Sequence, residues 1–294
     1  MRLPVGSDPQ ECLISASSRL EPLELAAEPG ELLPVVGAPG GASDPLAQTV
    51  HRPVRPRVDL EVVIPAYNEE RRLAATLQST LSYLKSQPYS SAVVVVDNGS
   101  VDYTAEIADR FLDAALPVYV VGCARPGKGS AVRRGFRTGS SRYVGYLDAD
   151  GSTPIATLDT VHPLLERGAV CVVASRRAPG GGFAVPQSRL RRTGSEGFRA
   201  LSKGLVRGVS DTQCGFKFFR GDIIRDIAGD TFVDGFAFDL ELLSRLQRAG
   251  QDVVEVPVTW TDATGSTFRP VRHGSRAARD VLALRRALSP WTTT

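Results

Sequence analysis

Apolar positions along most of the chain fall into short continuous runs, separated by stretches with helical spacing. Residues 60–64, Leu-Glu-Val-Val-Ile, form a run rich in β-branched side chains that predicts a strand, and residues 69–85 carry the spacing of a helix. Residues 92–96, Ala-Val-Val-Val-Val, are continuously apolar rather than alternating, the pattern of a parallel strand covered on both faces. A helix over 102–112, a strand over 117–121, a helix over 128–138 and a strand over 143–147 follow. Later strands are expected at 170–174 and 253–258, and later helices at 194–206 and 239–248. Repeated strand–helix units at this spacing imply an α/β fold with a doubly wound, mostly parallel sheet flanked by helices.

Residues 1–57 break this pattern. They are rich in Pro, Gly, Ala, Ser and Glu, and their scattered apolar residues have no period that would bury a face, so a loosely structured tail is expected ahead of one catalytic domain over 58–290. A formal net charge of +3 and the lack of a Lys/Arg run argue against a nucleic-acid partner and leave small anionic ligands open. The four cysteines, Cys12, Cys123, Cys171 and Cys214, show neither a CxxC pair nor a zinc-ligand spacing, which predicts reduced, buried thiols. No stretch approaches about 18 consecutive apolar residues. A soluble protein of the cytoplasm is expected, with a basic amphipathic helix over 276–288 as its one candidate for peripheral contact with a membrane.

In open parallel sheets ligands collect beyond the carboxyl ends of the strands, so the polar residues that follow each apolar run are the ones to inspect. After the first run comes Pro65-Ala66-Tyr67-Asn68-Glu69-Glu70, where an acid in a helix's first turn is explained equally by the helix dipole. After the second comes Asp97-Asn98-Gly99-Ser100, either a carboxylate for a base or ribose or an Asx turn leading into a helix. Arg125-Pro126-Gly127-Lys128-Gly129 places glycines and a lysine at a helix N-terminus, where backbone N–H groups can meet phosphate, although a plain glycine-rich turn has the same composition.

The fourth segment is Asp148-Ala149-Asp150-Gly151-Ser152. In an extended backbone Asp148 and Asp150 share one face, and two like charges so placed are costly unless a cation joins them. Mg2+ or Mn2+ would take these carboxylates together with phosphate oxygens.

In this order the segments resemble the family 2 glycosyltransferases of GT-A (Rossmann-like) fold, above all the branch of dolichyl-phosphate mannose and glucose synthases. Asp211-Thr212-Gln213-Cys214-Gly215-Phe216-Lys217 and Glu255-Val256-Pro257-Val258 extend the likeness, which covers roughly residues 59–288. The resemblance implies that Pro65, Ala66, Tyr67, Glu69 and Asp97 bind base and ribose. It further implies that Lys128, Asp148, Ala149 and Arg176 lie along the diphosphate, and that Asp148 and Asp150 hold the metal. Ser152 stands where the family often has a Gln beside the metal. Gln213 is expected to face the sugar in an acceptor-side loop, and Asp239 or Glu241, with Asp239 preferred, to deprotonate the acceptor. Arg269 and His273 would add cations near the diphosphate.

The activity implied is transfer of a hexosyl group from a GDP- or UDP-sugar, with Mg2+ or Mn2+, to a polyprenyl phosphate or a soluble acceptor. A nucleotide-sugar isomerase (mutase) interconverting pyranose and furanose forms in the same pocket is the alternative, and a non-catalytic sugar-nucleotide-binding module is a third reading.

Overall fold

The computed structural model describes residues 57–111, 116–184, 189–261 and 270–288. The tail expected over 1–57 lies almost wholly outside the described residues.

The elements run β1 (Leu60–Ala66), α1 (Leu73–Lys85), β2 (Ser91–Asp97), α2 (Thr104–Asp109), β3 (Val118–Gly122), α3 (Lys128–Phe136), β4 (Tyr143–Leu147), α4 (Leu158–Glu166) and β5 (Cys171–Ser175), followed by β6 (Gly182–Phe183), α5 (Arg189–Ser202), β7 (Phe216–Arg220), α6 (Gly221–Gly229), α7 (Phe238–Arg248), β8 (Val253–Pro257), β9 (Thr259–Trp260) and α8 (Pro270–Ala287). Seven strands form one sheet in the order β3-β2-β1-β4-β7-β5-β8, and β6 pairs with β9 in a separate two-stranded ribbon. All neighbours in the large sheet are parallel except β7, which runs antiparallel to both β4 and β5.

The runs of Val and Ile are continuous because the sheet is covered on both faces. Val62 and Ile64 point into one core layer with Leu73 and Leu77 of α1 and Val161 of α4, whereas Val63 points into the other with Phe136 of α3 and Leu242 of α7. Strand order reverses between β1 and β4, since β2 and β3 continue to one side and β7, β5 and β8 to the other. A crevice at the carboxyl ends of β1 and β4 is the place where such sheets bind ligands.

The first strands and helices match the sequence pattern closely. Other features differ. Phe216 and Lys217, expected to close an acceptor-side loop over 211–217, instead open the buried strand β7; α1 starts at Leu73 because residues 67–72 form the turn out of β1; α5 spans Arg189–Ser202 rather than 194–206; and α4 and α6 occupy segments for which no element is expected.

Candidate active site

The end of β1 is stitched to the end of β2. Asn68 adopts a left-handed conformation (φ 55°), which Asn tolerates better than most residues. Its N–H donates to Ser100 Oγ at 3.0 Å, its side-chain oxygen accepts from the Val101 N–H at 2.9 Å, and the Glu69 N–H donates to Thr104 Oγ1 at 2.8 Å. Pro65 and Ala66 pair in register with Val96 and Asp97, so this lip is rigid backbone, with Tyr67 half exposed upon it. Asp97 accepts the Ser100 N–H, three residues on, at 3.3 Å, which closes the turn after β2.

Asp148 follows β4 directly. Its N–H donates to the Gly215 carbonyl at 3.0 Å, and the Gly151 N–H returns to the Asp148 carbonyl at 3.3 Å, so residues 148–151 form a tight turn rather than the extended segment expected. The two carboxylates still act on one another. The enclosing chain raises the Asp148 carboxyl above its ordinary range; Asp150 and Asp239 add to that, and the Lys128 ammonium at 2.9 Å pulls it back. Ala149 is buried beneath the turn, and its carbonyl is taken by Thr76 Oγ1 at 2.8 Å. Asp150 accepts the Ser152 N–H at 3.0 Å.

A residue that sequence reasoning missed sits beside Asp150. Arg72 clamps Glu69 with two hydrogen bonds of 2.7 and 2.6 Å and brings Nη1 to 3.7 Å from the Asp150 carboxylate. Burial pushes the Glu69 carboxyl upward against the pull of Arg72. The i,i+3 spacing of Glu69 and Arg72 was the only local signal.

Lys128 opens α3. Gly127 before it has φ 127°, and a Cβ there would lie 2.2 Å from the Asp234 carbonyl oxygen, so only glycine lets the loop turn into the helix. The Lys128 ammonium lies between Asp148 at 2.9 Å and Asp239 at 3.6 Å. Asp239, at the start of α7, accepts from Lys217 at 2.6 Å and from the Tyr146 hydroxyl. Burial opposes its ionised form, and Lys128 and Lys217 outweigh burial, holding the carboxyl below its usual range.

On the far side of the crevice Arg176 makes a bidentate pair with Asp211, at 2.6 and 2.8 Å, and lies 5.6 Å from the ring centres of both Phe183 and Trp260. Glu255 fixes this corner by accepting the Ser210 and Asp211 N–H groups at 2.9 and 3.0 Å. Gln213 donates its N–H to Asp211 at 3.3 Å, and its side-chain Nε2 is buried with no partner.

The structure does not bring Glu241 into this group. Its side chain is fully enclosed, accepts the Phe232 and Val233 N–H groups at 3.1 and 2.8 Å, and pairs with Arg245 at 2.8 Å. It anchors the loop ahead of α7. Arg269 lies outside the described residues, and so does the side chain of His273, whose backbone is in α8.

Among the described residues no three acidic, His or Cys side chains form a ready-made metal cage. A Mg2+-type site needs only one or two carboxylates, which share the ion with substrate phosphates and water, and Asp148 and Asp150 would supply them. Arg72 Nη1, 3.7 Å from the Asp150 carboxylate, and Ser152 Oγ, whose backbone N–H bonds Asp150, are buried without hydrogen-bond partners, and so is Gln213 Nε2 beside Asp211. Orphaned polar atoms of this kind are what a site shaped for a polyanion and its cation leaves behind when only the protein is present.

Residues 61–234 match the model of glycosyl transferase family 2. A dolichyl-phosphate beta-glucosyltransferase of Dictyostelium discoideum is 30% identical over 242 residues, covering 77% of this chain and 73% of that protein. The human dolichyl-phosphate beta-glucosyltransferase is 31% identical over 249 residues, covering 78% and 76%. Among solved structures, glucosyl-3-phosphoglycerate synthase of Mycobacterium tuberculosis, crystallised with Mn2+, UDP and glucosyl-3-phosphoglycerate, superposes with a TM-score of 0.60 at 22% identity over 80% of this chain and 82% of that one, and so shares the fold. The chain therefore belongs to glycosyl transferase family 2 and is a glycosyltransferase with the GT-A architecture.

Proposed function

We propose that this glycosyltransferase moves a glucosyl group from a nucleoside-diphosphate glucose, with Mg2+ or Mn2+, to the phosphate of a polyprenyl phosphate. One observation carries the choice of acceptor: both carboxylates expected to act as the base are already engaged. Asp239 is held by Lys217, Lys128 and Tyr146, and Glu241 by Arg245 and two backbone N–H groups. A hydroxyl acceptor needs a base within hydrogen-bond reach. A phosphate monoester, whose second pKa is about 6, brings an ionised oxygen of its own. The names of the relatives point to the same acceptor and to glucose.

In this reading Asp148 and Asp150 would hold the cation, whose chemistry is to neutralise the departing diphosphate. Lys128 sets an ammonium beside the same diphosphate at the N-terminus of α3. Pro65, Ala66, Tyr67 and Asp97 line the lip for base and ribose. Gln213, with its free Nε2, would face the sugar, and Arg176, braced by Asp211, would lie along the diphosphate. No described helix is long and apolar enough to cross a membrane. Arg276, Arg279 and Arg286, exposed along α8, suit peripheral contact with anionic headgroups.

The test is nucleoside diphosphate release by pure protein from UDP- and GDP-glucose with Mn2+, with and without polyprenyl phosphate. Release that requires the lipid, is abolished by Asp150→Ala and is quenched by EDTA is the expected result. A new sugar nucleotide of unchanged mass, formed without lipid, would make the protein an isomerase instead, a reading that neither the site nor the relatives favour. Full turnover in EDTA would remove the metal.

A further inference from the structure

Lys217 lies in the middle of β7, opposite Tyr146 of β4, with no accessible surface. A lysine at the centre of a sheet is costly unless its charge is met. It is met by Asp239 Oδ1 at 2.6 Å and the Cys214 carbonyl at 2.5 Å, above the Tyr146 ring at 5.5 Å. An apolar pair of the same volume is often as stable as a buried ion pair or more so, so stability alone is a weak account of this one.

Two paths lead from Lys217 to Asp148. The first is a chain of alternating charge: Lys217 on Asp239, Asp239 on Lys128 at 3.6 Å, and Lys128 on Asp148 at 2.9 Å. The second is backbone. Lys217 holds the Cys214 carbonyl, and the next carbonyl, that of Gly215, accepts the Asp148 N–H at 3.0 Å. Lys217 itself is too deep to touch a ligand, yet both the side chain and the main chain of Asp148 are set by what it holds.

We propose that Lys217 is a positioning residue of the transfer site, fixing through Asp239 and the Cys214 carbonyl the places of Lys128 and Asp148. Asp239 then serves as the anchor between the two lysines rather than as a base. This rests on Asp148 belonging to the metal and diphosphate site.

The experiment measures Mn2+ binding by electron paramagnetic resonance, in the presence of UDP, for the full chain and for Lys217→Met, Asp239→Asn and the double variant, with melting temperatures recorded in parallel. The expected result is a loss of Mn2+ affinity of about tenfold in each single variant and no further loss in the double one, since both act through one chain of contacts. Lys217→Met strands a buried carboxylate and is the variant most exposed to misfolding. Asp239→Asn keeps the volume, and the double variant removes both charges, so either still decides the matter. Folded variants that bind Mn2+ within twofold of the parent, or single losses that multiply in the double variant, would overturn the proposal and leave the transfer site standing. A parent protein that binds neither Mn2+ nor UDP would overturn the transfer site itself and this role with it.

Discussion

The Lys128 ammonium lies 2.9 Å from the Asp148 carboxylate. Together with the Arg72 guanidinium 3.7 Å from Asp150, it gives each aspartate of the pair a cation of its own in the absence of substrate. Like charges can thus stand together in the protein, and in the proposed reaction the same cations would meet the diphosphate.

Lys128→Met removes one of these cations. The expected outcome is a fall in kcat/KM of roughly 100- to 1,000-fold, the usual effect of losing one donor that stabilises developing charge. Steady-state kinetics with saturating acceptor measure it. Unchanged kinetics would show that the ammonium balances Asp148 and nothing else.

Gly215→Ala tests the floor of the site without replacing a charged residue. A Cβ at Gly215 would fall 1.8 Å from Asp148 Oδ2 and 2.1 Å from its Cγ, so the carboxylate must move. Displacing a catalytic group by about 1 Å costs on the order of a hundredfold in rate. The variant is expected to melt close to the parent temperature while losing Mn2+-dependent turnover. Parent-like turnover would mean that Asp148 is free to shift and does not set the cation.

Glu241→Gln separates anchoring from catalysis. Glu241 accepts two backbone N–H groups and an arginine in a fully buried position, and Gln keeps the shape but not the charge. The expected change is about 1–3 kcal/mol of stability, from weakened hydrogen bonds to a charged acceptor, or a melting temperature lower by roughly 2–12 °C. The value of kcat at a temperature where both proteins are folded should be nearly unchanged. The reverse pattern, a stable protein with kcat collapsed, would restore Glu241 as the base.

Local pattern was enough for the parts of the fold that local chemistry dictates. The Val-rich run of β2 and the Tyr143–Leu147 strand are legible because continuous burial on both faces permits only apolar side chains. β7 is hard to see in the sequence because Lys217 interrupts its aromatic residues, and the charge that makes Lys217 tolerable belongs to Asp239, 22 residues later. The same distance hid the state of Asp239. An acid at a helix start, next to family-like residues, suggests a base, and only the fold shows two ammoniums upon it. Arg72 was missed because its partner Asp150 belongs to another strand's end. Strand-end acids could be found in sequence, whereas the cations that decide their behaviour could not.

His162 lies on the opposite face from the charged chain and gives the fold a pH dependence of its own. Its ring stacks on Tyr89 with centres 3.9 Å apart and meets the edge of Tyr143, and its Nε2 is buried without a partner. Burial lowers its pKa; Glu166 and Asp59 oppose that shift and Arg142 assists it. Because the folded value lies below the unfolded one of about 6.5, the unfolded chain binds the extra proton first. Stability from this residue is therefore complete above about pH 6.5 and is lost as the pH falls through the folded value. Melting curves from about pH 7.5 to about pH 5 should show the parent losing stability through this range, above the range where ordinary carboxylates titrate. His162→Phe keeps the stacked ring and removes the proton, and its curve should be flatter over the same interval. Parallel curves for the two proteins would place the pH dependence elsewhere.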